Sequence, residues 1–303
     1  MATLYDILEQ HKKSKADKRV FGLVLQGGGM RAAYAAGAVV PLIQYEFTNA
    51  FEHVVGSSAG AINGAYFIDK HLETKDAYMY DLSNKNFVNL LRSEKKIDID
   101  YAVDTVLKQK YPLNISNLNR AHAKLHTVLT DAKTGKLVVI SDHKKFAEIY
   151  EELRATAAIP ILYDKSVIVG GTYYVDGGVA DLLPVDVAIK LGCTDIVVIM
   201  TQQIKNYRFD TRHTRLVRHL IQRYAKNQTE AVRKKLPTDE RVLLMNLRSL
   251  RRPYKKIRIY TLEPSDEEIL ISKATIDKPK VETLVRLGIA DMDTFLNREI
   301  IER

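Results

Sequence analysis

The chain has 303 residues, 46% hydrophobic and 27% charged, a composition that supplies a full core and excludes a disordered or fibrous protein. Its single cysteine, Cys193, excludes an intramolecular disulfide framework and any multi-cysteine metal site. The formal charge of +9 is uneven: residues 203–256 hold 16 Lys and Arg against 4 Asp and Glu, a net of +12, while the rest of the chain holds 30 against 33.

Residues 1–20, "MATLYDILEQHKKSKADKRV", are basic without an apolar h-region, which argues against a signal peptide. No apolar run approaches the roughly 18 residues of a spanning helix, so the expectation is a cytoplasmic, soluble protein. "FGLVLQ" (21–26) reads as a short buried strand ended by glycine, and "RAAYAAGAVVPLIQYEF" (31–47) as a helix that Pro41 should end or kink. "FEHVVG" (51–56) is a second strand and "AGAINGAYFIDKHL" (59–72) a second helix. A polar, mostly helical stretch follows. "KLHTVLTDAKTGKLVVIS" (124–141) is two apolar runs around Thr-Gly, a hairpin-like pair. "KKFAEIYEELRATAAI" has helical spacing and stops at Pro160. "SVIVGGTYYVDGG" reads strand, turn, strand; "VDVAIKLG" is a helix ended by Gly192; and "TDIVVIM" is another buried strand, with Cys193 at its mouth as buried filler.

Strands alternating with helices predict an α/β fold with a mostly parallel sheet covered on both faces. Beyond residue 203 the chain becomes densely basic and helical, with one more strand in "KKIRIYTLEP" and a closing helix over 277–303. The expected organisation is an N-terminal extension (1–20), a catalytic domain (21–202) and a basic, mostly helical C-terminal region (203–303).

Two glycine-rich turns carry chemistry. "LVLQGGGMRAAYAAG" (23–37) runs a strand through Gly27, Gly28 and Gly29 into Arg31 and a helix, presenting backbone N–H groups to something negative. "GSSAG" (56–60) is G-x-S-x-G between a strand and a helix, the setting of a nucleophile elbow. Centred on Ser58, the positions two away are Gly56 and Gly60; centred on Ser57 they are Val55 and Ala59, and a β-branched residue crowds the turn. Ser58 is the candidate nucleophile. Of the histidines at 11, 53, 71, 122, 126, 143, 213 and 219, only His213 and His219 follow the best acid, as a Ser-Asp-His order requires, and both lie among arginines in "RHTRLVRHL". The acid is Asp176 in "YYVDGG", whose plain reading is an Asp-Gly turn and whose functional reading is a carboxylate held at a sheet edge.

"GGGMR", "GSSAG" and "DGG", each after a strand and in that order, resemble the patatin-like phospholipase family over roughly residues 21–200, and "ATAAIPILY" (155–163) is similar to the family's segment ahead of its acid. The resemblance implies a three-layer α/β/α sandwich related to the catalytic domain of cytosolic phospholipase A2, with a Ser–Asp dyad. It makes Ser58 the nucleophile, Asp176 the base, and Gly27, Gly28, Gly29 and Arg31 the oxyanion loop. Ala32 stands where the family commonly has glycine. The region after 203 has no counterpart in plant patatins and is similar to the C-terminal extension of a bacterial subgroup.

On this reading the glycines hold a transient oxyanion, each donor contributing on the order of 3–4 kcal/mol. The implied activity is cleavage of lipid acyl esters (phospholipid, lysophospholipid or acylglycerol) with no cofactor and no metal. An ordinary Asp near pKa ~3.9 is a poor base for a hydroxyl, so the mechanism requires a desolvated Asp176. Tyr173 and Tyr174 are candidates to line the acyl groove. The +12 segment is suited to peripheral contact with anionic lipid at the inner face of the membrane.

Two rivals differ in kind. A nucleotide-binding protein needs G-x-G-x-x-G, which "GGGMRA" meets only marginally, and leaves GSSAG and DGG unexplained. A non-catalytic binder would grip membrane or nucleic acid through residues 203–256, whose sparse aromatics (Tyr207, Phe209, Tyr224, Tyr254) make nucleic acid unlikely.

Overall fold

Eight strands join in one sheet in the computed structural model, which describes residues 2–14, 16–141, 146–206, 228–236, 240–252, 254–266 and 271–300. They are β1 (Phe21–Leu25), β2 (His53–Ser57), β3 (Lys124–Asp131), β4 (Leu137–Ile140), β5 (Val167–Val169), β6 (Thr172–Asp176), β7 (Asp195–Ile199) and β8 (Arg258–Leu262). Hydrogen bonding connects them in the order β5-β6-β3-β2-β1-β7-β8, with β4 also on β3. From β3 through β8 the neighbours are parallel; β4 and β6 run antiparallel to β3, and β5 antiparallel to β6.

The central strands divide their apolar side chains between two cores. Leu23, Leu25, Val54, Leu125, Leu129, Val197 and Ile199 belong to one; Val24, Val55, Val128, Ile196 and Val198 belong to the other. Alternate residues face opposite sides of a sheet, and here both sides are buried, which is why these strands read as unbroken apolar runs. The first core is covered by α1 (Leu4–Lys13), α2 (Ala33–Gln44), α3 (Ala59–Ile68) and the helix Lys278–Asn297. The second is covered by the helix Val185–Lys190 and by Leu247 of the helix Glu240–Arg251. The result is a helix–sheet–helix sandwich, the layering that the sequence resemblance implies, with Cys193 buried against Gly22 in the second core.

Pro41 neither ends nor bends α2 out of register: the helix runs to Gln44, and the Pro41 carbonyl accepts from Tyr45 N–H (2.9 Å). The proline lies in the last turn, where its missing donor removes a single intrahelical bond.

The chain after residue 203 supplies part of the sandwich. β8 pairs with β7 from Asp195–Arg258 to Ile199–Leu262. The helix Lys278–Asn297 crosses α2 at two glycines: Gly37 faces the Val285 carbonyl and Gly288 the Tyr34 carbonyl, each too close for a Cβ. Residues 207–227, with His213 and His219, lie outside the described residues, so the +12 segment is described only in part.

The register of β3 positions the site. Residues 127–128 of β3 pair with both β2 and β4, and residues 129–130 with both β4 and β6. A strand has two edges, so β4 takes one, while β2 and β6 lie end to end along the other and run toward each other.

Candidate active site

Ser58 follows β2 directly and leads into α3, with φ +55° and ψ −134°. A non-glycine residue in this region is strained by ~1–3 kcal/mol and persists only where its surroundings enforce it. Here they do. Gly56 has the start of α3 against it, where a Cβ would sit 2.5 Å from the Ala61 N and Cα, and Gly60 lies against the Leu25 carbonyl. The Ser58 N–H donates to Thr156 Oγ1 (2.8 Å), and that hydroxyl donates to the Val128 carbonyl (2.6 Å).

Asp176 ends β6 and meets Ser58 from the opposite direction. Ser58 Oγ donates to Asp176 Oδ2 (2.7 Å), and Gly178 N–H donates to Asp176 Oδ1 (2.6 Å). The aspartate's main chain is fixed too: its N–H donates to the Ala158 carbonyl (3.0 Å) and its carbonyl accepts from Thr130 Oγ1 (2.8 Å). Burial raises the carboxyl to a pKa of about 6, against the lowering effect of the Ser58 and Gly178 hydrogen bonds and the Lys273 charge. Within the described residues no histidine approaches this pair as a hydrogen-bond partner; His53 and His126 bond each other (2.9 Å), His53 lying at the start of β2, the far end of that strand from Ser58.

The three glycines after β1 divide their tasks. Gly27 departs from the expected role, because its N–H already donates to the Leu182 carbonyl (3.2 Å). It serves by size instead: a Cβ there would lie 2.7 Å from the Ser57 carbonyl and 3.0 Å from Ser58 Cβ. Among the described residues no acceptor takes the N–H of Gly28 or Gly29, which leaves these two as the loop's donors. Gly29 has φ +56°, and a Cβ on it would meet the Lys273 carbonyl at 2.6 Å. Arg31 turns its guanidinium to the Gln202 side chain, which anchors the loop to the end of β7.

Lys273 escapes sequence reasoning, since "ISKATID" carries no motif. Its carbonyl accepts from Met30 N–H (3.0 Å), and its side chain lines the same pocket as Ser58 and Gly29. The residue as a whole is exposed at this mouth, yet the protein packed around its ammonium, and secondarily repulsion by Arg31, pull its pKa down to about 8. Thr156 and Thr130 likewise carry no motif. Their signal is weak: a threonine at the end of an amphipathic helix, and one next to the last residue of a buried strand.

The pocket continues inward from Ser58 between α3 and the segment joining α3 to β3. Ile62, Leu82, Phe87, Ile99, Val103 and Leu107 line it and make its wall apolar. That segment is roofed by two π-helical stretches, Ala77–Leu82 and Tyr101–Lys110. Arg154 holds the second, donating to Asp100 (2.5 Å) and Asp104 (2.7 Å). Tyr173 and Tyr174 do not line the pocket: β6 turns Tyr173 to solvent, 55% exposed, because this end of β6 lies at the outer edge of the sheet with β5.

Comparison with known proteins identifies a family and two similar chains. The family model described as patatin-like phospholipase matches residues 23–189, which span the glycine loop, the serine elbow and the DGG turn. A relative in Escherichia coli (strain K12), the uncharacterized protein YjjU, is 28% identical over 198 residues, 61% of this chain and 53% of that one, so the chain spans about half the length of the curated relative it matches. Among solved structures, VipD from Legionella pneumophila is similar over 93% of this chain and 67% of that chain, at 13% identity and a TM-score of 0.43.

Proposed function

Because the chain belongs to the patatin-like phospholipase family, whose model matches residues 23–189, we propose that it is a serine acyl hydrolase cleaving lipid acyl esters with Ser58 as nucleophile and Asp176 as base. The observation that carries this reading is the 2.7 Å hydrogen bond from Ser58 Oγ to Asp176 Oδ2 at the mouth of an apolar pocket. A carboxyl at a pKa of about 6 is ionised at neutral pH and is a stronger base than an ordinary aspartate.

In the first half-reaction Ser58 Oγ attacks the ester carbonyl carbon while its proton passes to Asp176 Oδ2. The N–H groups of Gly28 and Gly29 receive the oxyanion. Collapse of the tetrahedral intermediate breaks the bond to the alcohol oxygen, which takes the proton from Asp176 and leaves. In the second half Asp176 removes a proton from water as the water oxygen attacks the acyl-enzyme; the fatty acid departs and Ser58 Oγ regains the proton. The acyl chain lies in the pocket along Ile62 and Val103, which favours long-chain phospholipids, lysophospholipids or acylglycerols over small esters.

The test is labelling with a fluorophosphonate probe and mapping of the modified peptide. Label on Ser58, absent from Ser58→Ala and strongly reduced in Asp176→Asn, is the expected result. A folded protein that takes no label, or takes it at another serine, overturns the assignment.

A further inference from the structure

The segment that roofs the pocket has a second, outward face. Phe87 and Ile97 point into the pocket, whereas Leu90 and Leu91, between them in sequence, are 56% and 97% exposed. Two adjacent leucines held in water are costly to solubility and contribute nothing to this core. They are nonetheless held there by a built turn. The Arg92 guanidinium donates to the carbonyls of Lys85 (2.9 Å), Asn86 (3.2 Å) and Lys95 (3.4 Å). Asn89 Oδ1 accepts from Leu91 N–H (3.1 Å), and Asn89 N–H donates to the Lys96 carbonyl (2.8 Å). Ile97 N–H to the Leu162 carbonyl (2.9 Å) and Asp98 N–H to the Phe87 carbonyl (2.7 Å) fasten the turn to the body.

The charge around the leucines has one dominant sign. Residues 85–96 contain Lys85, Arg92, Lys95 and Lys96 against Glu94 alone. Asp98 and Asp100, behind the tip, pair with Arg92 and Lys95, and among the described residues Lys85 and Lys96 have no carboxylate partner. Apolar side chains at a tip, flanked in sequence by cations, match a surface that is anionic outside and hydrocarbon within.

We infer that the turn 85–96 docks the protein on an anionic lipid surface, with Leu90 and Leu91 entering the acyl boundary and Lys85 and Lys96 meeting the headgroups. Because Phe87 of this turn and Ile97 next to it line the pocket, docking brings the bilayer against the wall that receives the acyl chain. The turn lies outside residues 203–256 in the sequence. It rests on the lipid-ester reading for its purpose but not for its chemistry.

The experiment uses the full chain carrying Ser58→Ala, so that no vesicle is consumed, and measures co-sedimentation with vesicles of phosphatidylcholine alone or with one quarter phosphatidylglycerol at physiological salt. Preferential binding to the anionic vesicles, weakened at least ~10-fold by Leu90→Ser/Leu91→Ser and more mildly by Lys85→Gln/Lys96→Gln, is expected. The leucine pair is exposed, so the variant folds; with Ser58 intact it hydrolyses a soluble short-chain ester at the parent rate and loses rate only on vesicles. Equal binding with and without the leucines overturns the inference, as does no binding to either vesicle. A lipid-free dimer that the leucine variant dissociates also overturns it, by giving the face to a second copy of the chain. Leucine-dependent vesicle binding by a protein that hydrolyses no ester retains the docking surface and removes the proposed activity.

Discussion

Ser57 and Asp176 are neighbours along a single edge of β3, Ser57 opposite Val128 and Asp176 opposite Leu129. Two strands run toward each other and stop there, so sheet register brings the Ser58 hydroxyl to the Asp176 carboxylate. The hydroxyls of Thr156 and Thr130 then tie the two ends to their surroundings. These bonds hold both ends of the pair before any substrate arrives, which is what the proposed two-residue mechanism, with no orienting third group, requires.

Such a site costs stability. The Asp176 carboxyl has a pKa of about 6 in the folded chain against 3.8 for the free group. The folded state therefore binds more proton between these values, and stability falls as pH rises from about 4 to about 6 and stays low above that. Integrated over the shift, the loss is on the order of 2–3 kcal/mol. Asp176→Asn removes the buried charge, so it should unfold at higher urea than the parent at pH 8 while losing ~10²–10⁴-fold in activity. A variant no more stable than the parent at pH 8 would contradict the desolvated carboxylate.

Lys273 holds that pKa down from where burial alone would place it. The acid limb of kcat/KM should have its midpoint near pH 6, reporting Asp176 in the free enzyme. Lys273→Met withdraws the favourable charge and should move the limb to higher pH, whereas Lys273→Arg should leave it in place. Identical limbs in the parent and the methionine variant would detach Lys273 from the dyad.

Much of this was legible in the sequence because the chemistry needs local patterns. Glycines two residues either side of Ser58, three glycines after β1, and Asp-Gly-Gly after β6 each follow from a backbone that must pass close to something. The alternating cores were legible as apolar runs. What stayed hidden is long-range. No spacing rule connects Lys273 to Met30, 243 positions earlier, or Thr156 to Ser58. For Gly27, sequence shows that an N–H exists and not that Leu182 has taken it. Nearness to the DGG turn suggests Tyr173 and Tyr174 as pocket residues. Most of the wall comes instead from residues 74–107, with Ile62 of α3, and the polar surface residues of that stretch hide its buried apolar ones from sequence reading.

Gly29 tests the loop directly. Its positive φ disfavours any side chain, and the Lys273 carbonyl fills the space a Cβ requires. Gly29→Ala must displace either the loop or the 271–276 segment, moving a donor off the oxyanion. The expected loss is ~10²–10³ in kcat with little change in KM, since the donors act mainly on the transition state. Loss confined to KM would remove Gly29 from the oxyanion loop.

Thr156 tests whether the elbow is enforced from outside. Its hydroxyl accepts from Ser58 N–H and donates to the Val128 carbonyl, and all three groups are buried. Thr156→Val keeps the shape and removes both bonds, leaving a donor and an acceptor without partners at ~1–3 kcal/mol each. With its N–H released, Ser58 can relax from φ +55° and carry its hydroxyl away from Asp176. Thr156→Val should therefore lower both the urea midpoint and kcat, while Thr156→Ser, which restores the hydroxyl, should recover kcat even if the lost methyl still costs some stability. That split separates positioning from packing. If serine and valine lower kcat equally, Thr156 acts only by filling space and the strain at Ser58 has another keeper.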